Sequence, residues 1–293
     1  MNLYKTTINP IARFATPLRG DTMFGQMCWA IRYKFGEKRL KELLANYQSN
    51  PFLIVSDGFT SGYLPKPKIP SRFLGEGEDK KANRKKIWLS LEDLTNGDFH
   101  NGKTPKEVGE DTSQTVMRNS INYLTFTTDD SGAFAPYGVN EMRLSKKDIY
   151  FLIDEEQFGF EELKIAFEAV SLMGYGKDST VGKGRFEIGD FQKVEIKEDS
   201  KTLMALSPFS LEGLVCKNCF YEPFVRFGKK GGDRANENPF KKPLLLADCG
   251  GVVVLNEKPT KRYIGKAITN FSTHSDIVHQ GYAIALPIKD IDE

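Results

Sequence analysis

Along the stretch from Phe160 to Met173 the apolar side chains Phe160, Leu163, Phe167, Val170 and Met173 recur at steps of three and four. That spacing predicts a helix with one buried face, closed by Gly174, which takes a left-handed conformation at a helix C-terminus without steric cost. Phe24, Met27, Ile31 and Phe35 repeat the pattern and predict an earlier helix that starts after Pro17 and Gly20, with Asp21 or Thr22 as its N-cap. Leu40, Leu43, Leu44 and Tyr47 extend helical character to just before Pro51. Between these segments, Tyr4 to Phe14, Phe52 to Phe59, Ile149 to Ile153 and Phe186 to Ile196 read as strands, the last with a slip at Gly189 that predicts a bulge.

Residues 62–145 interrupt this order. Pro65, Pro67 and Pro70 forbid a helix and favour an extended rim. KKANRKK at 80–86 sets five positive charges in seven positions and reads as a mobile solvated loop, while Gly97, Gly102, Pro105 and Gly109 predict hairpin and loop rather than core. With the insertion removed, the order is strand, helix, strand, strand, helix, strand, the ferredoxin-like or RRM-like order of an α+β fold. Beyond residue 200 come short apolar runs at Leu203–Leu206, Pro223–Phe227, Leu244–Leu246, Val252–Leu255 and Tyr282–Leu286, with helices poorly marked. They predict a second, degenerate copy, and so two domains, 1–200 and 201–293.

The segment MGYGKDSTVGKGRF, Met173 to Phe186, carries four glycines, two lysines and an arginine. Gly174, Gly176, Gly182 and Gly184 permit positive φ and close approach of main-chain N–H groups to an anion, and Lys177, Lys183 and Arg185 supply neutralising charge. The order of elements excludes a Walker loop or a dinucleotide fingerprint. Those follow a strand and open a helix, whereas this loop follows a helix and opens a strand, so basic side chains and turn N–H groups must do any anion binding.

The 293 residues, 40% hydrophobic, allow a proper core. No apolar run approaches a membrane span, and MNLYKTT lacks the apolar core of a signal peptide, so a cytoplasmic protein is expected. Net charge is only +2, yet residues 226–266 hold ten Lys or Arg against four acids and 276–293 one Lys against four. That asymmetry fits a nucleic-acid face on a protein that also has protein partners. Cys216 and Cys219 make half a zinc site that only Cys249 and the distant His274 or His279 remain to complete, so no metal and no cofactor is expected.

Four separated stretches, PLRGDTMFGQMCWAIR from Pro17, VMRNSINYLTFTTDDSGAFAPYG from Val116, the glycine loop and HQGYAIALPI from His279, resemble the RAMP proteins of CRISPR systems, and among them the fourth subunits of type III-A (Csm) effector complexes. The resemblance implies ferredoxin-like domains with a protruding thumb hairpin, and a noncatalytic scaffold that holds the 5′ repeat-derived handle of the CRISPR RNA. It also implies two protein partners, a large palm-domain subunit and the repeated backbone RAMP subunit. Carried onto this sequence, the handle contacts are Gly174, Gly176, Lys177, Ser179, Gly182, Lys183, Gly184 and Arg185. Arg19 would share a phosphate with the N-terminus of the first helix, or else pair with Asp21. Arg118, Asn119, Asn122 and Tyr123 would form the thumb, turning near Asp130–Gly132. Some RAMP relatives cleave RNA with a histidine base, which leaves an endoribonuclease as the alternative, with His100, His274 and His279 to choose from. His279 reads as a structural histidine at a strand end.

Overall fold

The computed structural model describes residues 1–75, 79–196, 199–232, 238–274 and 276–291. The chain opens with β1 (Asn2–Pro10), α1 (Gly20–Phe35), α2 (Glu37–Ala45), β2 (Leu53–Val55) and β3 (Phe59–Thr60). The insertion holds β4 (Leu64–Pro65), α3 (Lys80–Lys85), β5 (Trp88–Leu89), α4 (Leu91–Asn96), α5 (Pro105–Val108) and the hairpin strands β6 (Thr112–Arg118) and β7 (Tyr137–Arg143). β8 (Lys147–Ile153), α6 (Phe160–Met173), β9 (Phe186–Ile188) and β10 (Gln192–Lys193) complete the first half. The second half contains β11 (Thr202–Ala205), β12 (Asn218–Phe220), β13 (Pro223–Arg226), β14 (Leu244–Ala247), β15 (Val252–Val254), β16 (Tyr263–Gly265) and β17 (Tyr282–Pro287).

The first sheet runs β10-β1-β8-β2, with β3 also paired to β8 and β9 to β1, all antiparallel. Helix α1 links β1 to β2 and α6 links β8 to β9, which is the split βαβ arrangement expected for this half. All seven residues of β8 are buried, as befits a central strand covered on both faces. Helix α6 ends where its periodicity stops, with Gly174 at φ 87° donating its N–H to Val170 O. At Gly189, whose N–H reaches back to Thr7 O, the last strand breaks into β9 and β10, the slip anticipated there.

The second sheet, β12-β15-β11-β17-β16, contains three of the five expected strands, and the other two form the β13–β14 ribbon. Among the described residues of this half there is no α-helix, so it has a sheet without the helices that accompany the first. The halves share one core: Met204, Leu206, Val252, Ile284 and Leu286 belong to the same buried cluster as Leu3, Phe24 and Phe151. His279, Gln280 and Gly281 form the seam. The Gln280 amide accepts from Val55 N at 2.9 Å and donates to Val55 O at 2.8 Å, acting as a strand partner made of side chain. A Cβ on Gly281 would stand 2.1 Å from Lys266 O, so only glycine allows that approach.

Two expectations about the insertion are corrected. Leu64, Leu74, Leu89, Leu94 and Phe99 are buried in the main cluster, so the insertion contributes core. KKANRKK is mostly helix: α3 spans Lys80–Lys85, nucleated by Asp79, whose carboxylate accepts from Ala82 N at 2.9 Å.

Candidate nucleic-acid interface

The glycine loop is laid against the β1–α1 connection. Gly184 N donates to Arg13 O (2.9 Å), Lys177 N to Thr16 Oγ1 (2.9 Å), and Ile11 N and Ala12 N both reach Arg185 O. Within the loop, Tyr175 N donates to Gly184 O at 2.9 Å. All four glycines have positive φ. At Gly174 and Gly184 the reason is packing as well as turning, because an added Cβ would fall 2.4 Å from Lys183 O and 2.1 Å from Tyr175 O. Gly174, Tyr175, Lys183 and Gly184 are buried, Gly176, Ser179 and Gly182 are half-buried, and Lys177 and Arg185 are exposed. The loop is thus a ridge with its inner side against the body and its basic ends in solvent.

Lys183 does not stand ready for a ligand, which corrects its expected place among the neutralising charges. Its ammonium is buried, 2.9 Å from Glu141 Oε1 and 3.0 Å from Asp178 Oδ2. Glu141, on β7, also accepts from Arg118 Nη2 at 2.8 Å and lies 3.6 Å from Arg13 Nε. One carboxylate therefore joins the loop, the hairpin root and the β1–α1 connection, the last further secured by the Phe14–Met142 bridge. Hydrogen bonds from Lys183 and Arg118 hold the Glu141 carboxyl below the usual carboxylate range. Three cations meet two carboxylates here, so the joint keeps an excess of positive charge, and among the described residues Lys177 and Arg185 beside it enter no ion pair.

Arg19 is also engaged. Its Nη1 lies 2.9 Å from both Asp57 Oδ2 and Asp248 Oδ1, rather than beside Asp21. The first helix starts one residue before Asp21, and its end is satisfied by other groups: Gly20 N donates to Asp57 Oδ1 (2.7 Å) and Arg19 N to the Tyr175 hydroxyl (3.0 Å). Burial pushes Asp57 up to about 7 against the pull of Arg19. Asp21 instead points inward, with Oδ2 2.7 Å from Arg226 Nε and 3.6 Å from His279 Nε2. His279 is buried, and that burial lowers its pKa to about 4, so the ring is neutral at pH 7.

The hairpin lies where it was expected. β6 and β7 pair from Thr112↔Arg143 to Arg118↔Tyr137, and residues 119–136 form the tip. Asn122 shapes it: its N–H donates to Thr127 O, its carbonyl accepts from Phe126 N, and its Oδ1 accepts from Leu124 N at 2.9 Å. Asn119 is exposed. Tyr123, Leu124 and Phe126 are 88%, 91% and 82% exposed, a trio of large apolar groups that the chain leaves uncovered. At the foot of the hairpin a cavity of ≈ 390 Å³ is lined by Arg19, Lys68, Trp88, Asp111 and Lys147.

The sequence singled out the tip and the two exposed loop cations as candidates. It did not single out Glu141, Arg13, Asp57 or Asp248, since each is an isolated charge in its own stretch of sequence. Cys216 and Cys219 pack against the smaller core cluster, and among the described residues no group of three or more His, Cys, Asp or Glu is gathered as a metal site. No described helix is long and apolar enough to cross a membrane.

No protein-family profile matches the chain, and no curated protein matches it. Solved structures do. A chain of the Csm1-Csm4 cassette in complex with pppApA superposes with TM-score 0.63 at 17% identity, covering 100% of both chains. A chain of the same cassette with AMPPNP gives 0.64 at 17%, again over 100% of both. A chain of the Csm3-Csm4 subcomplex of a type III-A CRISPR-Cas interference complex gives 0.59 at 15%, over 99% of this chain and 100% of that one. Csm4 is the component common to these assemblies, and the fold of this chain is Csm4-like.

Proposed function

We propose that this chain is a noncatalytic RNA-binding subunit of a type III-A CRISPR effector complex. It holds the 5′ handle of the CRISPR RNA and joins a large Csm1-like subunit to Csm3-like backbone subunits in antiviral defence. The observation that carries this reading is the cationic joint around Glu141, where the glycine loop, hairpin root and β1–α1 connection meet with Lys177 and Arg185 unpaired at the surface. Phosphates run along such a ridge by charge, since the N–H groups of Gly174, Tyr175, Lys177, Gly182, Lys183 and Gly184 are taken by the chain itself, while the exposed apolar tip works on bases. The second half is a reduced ferredoxin-like repeat that supports the first. The burial of His279 favours holding over cutting, because a general base must reach the 2′-hydroxyl it deprotonates.

A salt titration tests it. Lys177→Ala with Arg185→Ala should leave thermal stability unchanged and reduce the salt slope of binding to a repeat-derived RNA by about 1.4, roughly 0.7 for each lost contact on a single strand. An unchanged slope removes the ridge from the interface. RNA cleavage by the purified protein would replace the scaffold with a nuclease.

A further inference from the structure

Strand β13 and the residues that follow it carry their polarity inside out. From Pro223 to Lys230 exposed and covered positions alternate, as a strand dictates, yet Pro223, Val225 and Phe227 face solvent while Arg226 and Lys230 face the body. Val225 is 48% and Phe227 73% exposed, and Leu245, the cross-strand partner of Val225, is 72% exposed. This orientation is enforced from below. Arg226 is paired with Asp21, its Nη2 donates to Thr22 Oγ1, Phe224 lies 5.0 Å under the Arg19 guanidinium, and Lys230 Nζ donates to Thr273 Oγ1. Turning the ribbon over would bury the apolar stripe but strip the charge of Asp21.

The rim says what covers the stripe. Among residues 221–232 and 238–247 as described, the exposed charges are Lys229 and Lys242 and the acid Glu222, and Lys68 already takes that carboxylate at 2.8 Å, so the rim is left positive. A second copy of this chain would bring the same positive rim. An RNA would bring negative charge, but of the stripe's exposed groups Phe227 alone offers a ring, while Pro223, Val225 and Leu245 offer bases nothing to stack on. An apolar centre inside a charged rim is the anatomy of a protein interface.

We propose that the outer face of the β13–β14 ribbon docks a protein subunit of the same assembly, one that presents an apolar patch rimmed by carboxylates. This rests on the assembly reading above. The test reconstitutes the full chain with the other subunits and CRISPR RNA, and compares wild type with Val225→Asp/Leu245→Asp and with Lys229→Glu/Lys242→Glu. These side chains are exposed, so the melting temperature of each variant alone should match wild type. The expected result is at least a tenfold loss of subunit affinity for the aspartate pair, a smaller loss for the charge reversal, and hydrogen-exchange protection of the ribbon that needs protein partners. Full assembly of the aspartate pair overturns the proposal. So does ribbon protection by RNA alone, or a dimer of the free chain that the aspartates dissolve. Failure of the wild type itself to assemble sinks the assembly reading, and this surface with it.

Discussion

The glycine loop and the hairpin tip are the two halves of the proposed RNA interface, and they are built on opposite terms. Loop residues 174–185 are tied to remote chain at almost every handhold: Arg13 O, Thr16 Oγ1, the Pro17 carbonyl through the Tyr175 hydroxyl, and Glu141 through Lys183. The bonds of the tip close on itself, through Asn122, Thr127, Asp129 and Phe134. A ridge that must keep its exposed cations in register along a phosphate chain gains from such anchoring. A tip that inserts apolar groups where the partner's shape is not set in advance gains from having little to break when it moves.

The harshest break of this contrast is Gly184→Ala. The new Cβ would sit 2.1 Å from Tyr175 O at a φ of 72°, so overlap adds to left-handed strain and unfolding in urea should show a loss of about 3 kcal/mol or more. Gly182→Ala in the same loop meets nothing within 4 Å at φ 89° and should lose only about 1 kcal/mol, the strain alone. Equal losses at the two positions would mean that the loop shifts to make room, and that its anchoring is not what holds it.

Lys183→Met comes next. It keeps the volume but takes one of three cations from Glu141 and leaves Asp178 without its partner, for a loss of about 2 kcal/mol at pH 7, below the usual cost of breaking a buried pair because Arg118 remains. The pH dependence identifies the cause. Glu141 titrates lower in the folded chain than in the unfolded one, so its stabilisation is complete above about pH 4.3 and is lost as pH falls through the lower folded value. In the variant that gap narrows, and the two stability curves should converge on acidification. Curves that stay parallel from pH 7 to pH 3 would assign the loss to packing.

The limits of what the sequence revealed follow the same division. Periodicity and apolar runs marked both long helices, the Gly189 slip and five of the seven described strands of the second half, missing β12 and β16, because burial on one face writes itself into spacing. The four glycines announced positive φ, and all four have it. Spacing is silent on why: room for a ligand and room for residues 11–19 demand the same residue, and at Gly174 and Gly184 it is the neighbouring backbone that needs it. Glu141 was invisible because its three cations come from positions 13, 118 and 183, and nothing in the sequence around it signals them. The basic run at 80–86 misled because charge density suggested a loop, whereas Asp79 at the N-cap and helix-tolerant Lys, Ala and Arg suffice for α3. The core residues of the insertion stood singly between prolines and charges, with no period to connect them.

The mildest change to the fold sharpens the contrast most. Tyr123 is almost wholly exposed and its side chain makes no hydrogen bond among the described residues, so Tyr123→Ala should alter unfolding by less than about 0.5 kcal/mol, the range of surface positions without special contacts. If the tip places its ring against a base, the same substitution weakens RNA binding by about 1 to 3 kcal/mol. It does so with the salt slope unchanged, because no phosphate contact is lost. Lys177→Ala and Arg185→Ala should do the reverse, changing the slope while any base-stacking signal persists. A tip variant that altered the slope, or a ridge variant that left it alone while abolishing stacking, would exchange the two roles. The anchored loop would then be reading bases and the free tip neutralising charge, an assignment that the placement of Lys177 and Arg185 on the ridge and of Tyr123, Leu124 and Phe126 on the tip opposes.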